Sequence, residues 1–93
     1  MNSSTLYVGI DVSKAKHDVA VVNEQRHPLI PGFVITENAN GFNQLVTRLE
    51  KLKQLSTSSQ ICVGMEATGD YWKNLYAFLV RRTDWLVTVI NPL

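Results

Sequence analysis

The 93-residue chain carries nine basic and eight acidic residues, a formal net charge of +1. Charge this balanced does not by itself imply a nucleic-acid partner, and 45% hydrophobic residues argue against disorder. The length allows one small domain, residues 1–93, with a modest stability margin.

The single cysteine, Cys62, cannot form an intramolecular disulfide; it reads as a small buried hydrophobe in a reduced, cytoplasmic setting. Met1-Asn2-Ser3-Ser4-Thr5 lacks the basic and apolar regions of a signal peptide. No apolar run approaches the ~20 residues that span a bilayer, so the reading is a soluble chain with no membrane partner.

In chain order, Leu6 to Val12 is almost continuously apolar, the pattern of a central strand covered on both faces. Leu6, Val8, Ile10 and Val12 share one face; Tyr7, Gly9 and Asp11 share the other. The short link Ser13-Lys14-Ala15-Lys16 permits only an antiparallel hairpin to a second strand, His17 to Val22. Asn23 to Arg26 reads as a turn. A third strand is expected between Leu29 and Thr36, with Pro31-Gly32 suiting a sheet edge.

Asn38 or Asn40 can cap a helix running to about Gln54. Its stripe is Phe42, Leu45, Val46, Leu49, Leu52 and Leu55, recurring every three or four residues. Ser56-Thr57-Ser58-Ser59 breaks it, and Gln60 to Glu66 forms the fourth strand. Thr68-Gly69-Asp70 is expected to open a second helix, with Thr68 as cap and Tyr71, Trp72, Leu75, Phe78 and Leu79 buried. Arg81 and Arg82 suit its last turn. Trp85 to Ile90 is the fifth strand, closed by Asn91-Pro92 and parallel to the fourth through a right-handed crossover. The sum is an α/β fold: a mixed five-stranded sheet with helices on its faces.

Two carboxylates stand out within that pattern. Gly9-Ile10-Asp11 and Gly64-Met65-Glu66 each place an acid two residues after a glycine, at the end of an apolar strand. A lone acid there is ordinarily a solvated group or a cap. If the two strands are parallel neighbours, both acids lie at carboxyl ends, where open α/β sheets bind ligands. Desolvating them unpaired is costly, and they repel each other unless a cation lies between them. Oxygen ligands without a His or Cys cluster point to Mg²⁺ or Mn²⁺. The chemistry that uses such a site is in-line attack at phosphorus.

Three ordered motifs give this pattern a family resemblance: Gly9-Ile10-Asp11-Val12-Ser13-Lys14, Met65-Glu66-Ala67-Thr68-Gly69-Asp70-Tyr71-Trp72 and Val89-Ile90-Asn91-Pro92. Together they resemble the N-terminal RuvC-like, RNase H-fold domain of DEDD-type insertion-sequence transposases. The resemblance implies metal-dependent DNA strand cleavage and rejoining for transposition. In it, Asp11 and Glu66 are the first half of a four-carboxylate Mg²⁺ or Mn²⁺ site. The other two aspartates follow the Asn-Pro segment in that family, so the expectation is a domain truncated before them and its C-terminal helices, inactive alone. Asp70 and Asp84 do not match those positions. A C-terminal domain bearing a serine nucleophile, a guide RNA from the element and a homo-oligomer of the full-length protein are further implied partners, besides DNA.

Other residues carry weaker signals. Lys14 and Lys16 are placed either to contact a phosphate near the metal or to solvate a turn. Thr68 and Gly69 put an expected helix N-terminus beside Glu66, an anion site or a simple cap. Asp18 reads as a surface charge, with an outer role about the metal as the alternative. His17 and His27 lack partners at ligand spacing and read as ordinary polar residues. Tyr71 and Trp72 have the spacing of core residues, though aromatic side chains also stack on bases. A sugar-kinase or actin-like ATPase lobe also begins with strand, Gly-Ile-Asp, but its phosphate turn needs glycines that Ser13 to Lys16 lacks. A non-catalytic nucleic-acid-binding or oligomerisation module is the other alternative.

Overall fold

The computed structural model describes residues 4–67 and 69–90. The expected cap Thr68, the N-terminal Met1-Asn2-Ser3 and the closing Asn91-Pro92 lie outside the described residues. The elements are β1 (Thr5–Val12), β2 (Lys16–Val22), β3 (Phe33–Thr36), α1 (Ala39–Leu55), β4 (Gln60–Ala67), α2 (Lys73–Arg82) and β5 (Leu86–Ile90). The sheet order is β3-β2-β1-β4-β5. β2 runs antiparallel to β1 and β3, while β4 is parallel to both β1 and β5. This is the mixed five-stranded sheet that the chain order implies.

Alternation along the strands decides where the core sits. Leu6, Val8, Ile10 and Val12 of β1 are buried together with Val19, Val21, Ile35, Ile61, Val63 and Met65. Leu45 and Leu49 of α1 and Leu75 and Leu79 of α2 complete the same cluster, each helix using an i, i+4 pair. Both helices therefore cover one face. The opposite face, with Tyr7, Gly9 and Asp11 of β1 and Leu86 and Ile90 of β5, is exposed among the described residues. The expectation that β1 is covered on both faces is corrected: its apolar residues of the second parity are one aromatic and one glycine, and neither is buried.

α1 starts where the sequence signals it. Asn38 is extended, and its Oδ1 accepts the Gly41 N–H at 2.8 Å and the Thr36 hydroxyl at 3.0 Å. At the other end of the layer, the Trp85 indole N–H donates to Glu50 Oε2 at 2.6 Å, tying the entry of β5 to α1. α2 differs from expectation. It begins at Lys73 rather than near Asp70, with Trp72 at its cap position and no side-chain cap. Gly69 has φ +70, a left-handed turn that breaks any helix continuing from β4. Tyr71 consequently lies in the turn, exposed, while Trp72 packs against the core and edge-on to Tyr76. Among the described residues no helix is long and apolar enough to cross a membrane.

Candidate active site

The register brings the two signalled carboxylates together. Asp11 of β1 pairs directly with Glu66 of the parallel β4, at the carboxyl ends of both strands. On its other side Asp11 faces Asp18 of β2. All three lie in one row on the open face and all three are exposed. The desolvation argument thus does not apply in this state; like-charge adjacency does. Like charges directly opposite across strands destabilise a sheet by a few tenths of a kcal/mol to about 1 kcal/mol. The charged contacts among the described residues are the Lys73–Asp70 ion pair and the hydrogen bond between His17 and Glu37, and neither relieves the row.

The next row inward is Ala20, Gly9, Gly64 and Thr88, across β2, β1, β4 and β5. A Cβ added at Gly9 would meet nothing within 4 Å, and one at Gly64 only Ile90 Cδ1 at 3.8 Å. These small residues give the carboxylate row a low floor, a concavity of about 600 Å³ lined in part by Asp11, Asp18, Glu66, Gly9 and Gly64. Two hard oxygen donors on adjacent strand ends, with open space beside them, fit part of a Mg²⁺ or Mn²⁺ site. They do not make a whole one: the described residues contain no group of three or more His, Cys, Asp or Glu able to hold an ion.

The remaining candidates fall around this row. Lys14 is exposed on the β1–β2 link that begins two residues after Asp11, and Lys16 is the exposed first residue of β2. Gly69 is exposed in the turn after β4, but the helix N-terminus expected beside it stands four residues further on. Asp18 was legible as more than a lone surface charge. A four-residue link pairing Val12 with His17 fixes Asp11 opposite Asp18. His17 had no such signal. It is fully buried, and its partners are Ser13, four residues away, and Glu37, twenty residues away.

A family model for DEDD transposases of the IS110 type matches residues 8–93. The chain belongs to this transposase family. No curated protein matches the sequence significantly. Among solved structures, the transposase chain is similar to Archaeoglobus fulgidus Pelota, with TM-score 0.60 and 14% identity over 98% of this chain and 27% of that one. It is also similar to the Aquifex aeolicus member of the Ppx/GppA family, with TM-score 0.56 and 10% identity over 96% of this chain and 36% of that one. At such identities the likeness is one of fold. The chain spans about a third of the length of these structures or less.

Proposed function

We propose that this chain carries half of the metal-dependent centre with which a transposase cleaves and rejoins DNA strands. The observation that supports it is the direct cross-strand pairing of Asp11 with Glu66 on an open face floored by glycine. Each carboxylate offers oxygen ligands to Mg²⁺ or Mn²⁺ and, being fixed on a rigid strand, orients the ion relative to the sheet. When bound, the cation activates the attacking oxygen and stabilises the leaving one at phosphorus. On this reading, Lys14 and Lys16 contact DNA phosphates next to the row, with Thr68 and Gly69 on the Glu66 side. The family resemblance supports two further aspartates beyond Leu93, DNA as substrate, a guide RNA, a serine-bearing C-terminal domain and a homo-oligomer as the rest of the machine.

Mn²⁺ titration followed by NMR tests the centre. Paramagnetic broadening is expected to strike Asp11 and Glu66 together and to vanish in D11N and E66Q. Unperturbed signals at millimolar Mn²⁺ would overturn the reading.

A further inference from the structure

His17 is the buried polar or charged residue of the described core, at a position whose strand neighbours on the same face are Val19 and Val21. An aliphatic side chain would serve packing there equally well, so the imidazole needs its own explanation. Its hydrogen bonds supply one. Nδ1 lies 3.2 Å from the Ser13 backbone nitrogen, whose N–H can only donate. Nδ1 is therefore the acceptor, and the ring proton sits on Nε2, 2.6 Å from Glu37 Oε1. Glu37 Oε2 in turn accepts from the Asn74 amide at 3.1 Å.

This chain of bonds joins the β1–β2 link, β2, the β3–α1 junction and the first turn of α2. Ser13 follows Asp11 by two residues and opens the link that presents Lys14 and leads into Lys16 at the start of β2. The same link is held again where the Glu37 backbone N–H donates to the Ala15 carbonyl at 3.0 Å. Asn74 anchors the network to the helix that follows the Glu66 strand. His17 itself lies on the helix-covered face, on the opposite side of the sheet from the carboxylate row.

We propose that His17 is a positioning residue for the candidate active site: through the Ser13 amide it fixes the backbone that carries Asp11 and the link bearing Lys14. Glu37 and Asn74 hold its ring in the one tautomer that can do so. The proposal rests on the reading of Asp11 and Glu66 as the centre, and its test separates the two.

Asparagine and glutamine each keep one half of the imidazole. In H17N the amide oxygen falls near the Nδ1 position and still accepts from Ser13, while the donor to Glu37 is lost. In H17Q the amide NH₂ reaches toward Glu37, while the acceptor for Ser13 is lost. A merely structural histidine makes both variants lose stability and leaves the folded site alone in each. As a positioning residue, His17 makes H17Q lose Ser13 amide exchange protection and Asp11 backbone order, and bind Mn²⁺ about tenfold more weakly, the factor one hydrogen bond supplies. H17N is expected to keep Ser13 protection, Asp11 order and Mn²⁺ affinity within about twofold, a spread well below the effect of that bond. Equal effects of the two variants on Ser13 and Asp11, or no effect of H17Q on either, overturn the positioning role. Absence of Mn²⁺ binding in the unsubstituted chain would instead overturn the metal reading, with the Ser13 and Asp11 measurements still deciding the role of His17.

Discussion

Two glycines of this chain do opposite work, and the difference can be measured. Gly41 sits in the first turn of α1 against the end of β3, where a Cβ would lie 2.6 Å from Thr36 Oγ1 and nearer still to the Thr36 carbonyl. The carbonyl belongs to a strand in the sheet and the hydroxyl is engaged by Asn38, so neither can yield cheaply. G41A is expected to lower the unfolding free energy by about 2–4 kcal/mol, read from urea denaturation. Gly9 faces the open side and a Cβ there meets nothing within 4 Å. In a strand interior alanine is better than glycine, so G9A is expected to raise stability by about 0.5 kcal/mol in the same assay. Gly9 therefore contributes room beside the carboxylates rather than packing. His17 teaches a different lesson at this scale. Its partners Ser13 and Glu37, and the Asn74 that donates to Glu37, come from three other parts of the fold, so no spacing rule could reveal the network; only the folded sheet joins it.

At the scale of elements, the two helices differ in how their starts are encoded. α1 has a cap whose side chain bonds the Gly41 amide, and no acid in its first turn. Replacing Asn38 by Ala removes that acceptor and also strands the Thr36 hydroxyl, so N38A is expected to cost about 1 kcal/mol. N38D keeps the acceptor and adds a negative charge at the positive end of the helix, and is expected to be neutral or stabilising by up to ~0.5 kcal/mol. Thermal unfolding of the two variants side by side checks the pair. The signals Asn38 and the Phe42-Leu45-Leu49 stripe were local, which is why α1 was legible in sequence. The start of α2 was not. Thr-Gly-Asp has the composition of a cap, yet the positive φ of Gly69 sends the chain through a turn before helical hydrogen bonding begins at Lys73. β1 misled in a related way. Tyr7 and Gly9 read as apolar on the second face, but a glycine and a half-exposed tyrosine are compatible with an open face, and burial follows the other parity alone.

Across the whole molecule, the open face concentrates negative charge in a chain whose formal net charge is +1. Asp18, Asp11 and Glu66 stand side by side on three adjacent strands, an arrangement that costs stability unless something positive occupies the row. Removing one charge from the metal-free chain should therefore stabilise it. D11N and D18N are each expected to raise the unfolding free energy by up to about 1 kcal/mol at low salt, with the gain shrinking at high ionic strength as the charges are screened. The variants then part company when Mn²⁺ is added. A ligand at a hundred times its dissociation constant stabilises the folded state by about 2.7 kcal/mol. Asp11 is paired with Glu66 at the strand ends, so D11N is expected to lose that increment, whereas D18N, which leaves both members of the Asp11–Glu66 pair in place, is expected to retain most of it. Thermal unfolding with and without Mn²⁺, at low and high salt, reads all four quantities. Equal loss of the Mn²⁺ increment in both variants would make Asp18 a ligand in its own right, and retention in both would remove Asp11 from the site. The outcome expected here, a residue whose removal stabilises the empty fold and abolishes its response to metal, is the energetic mark of a carboxylate placed for chemistry rather than for folding.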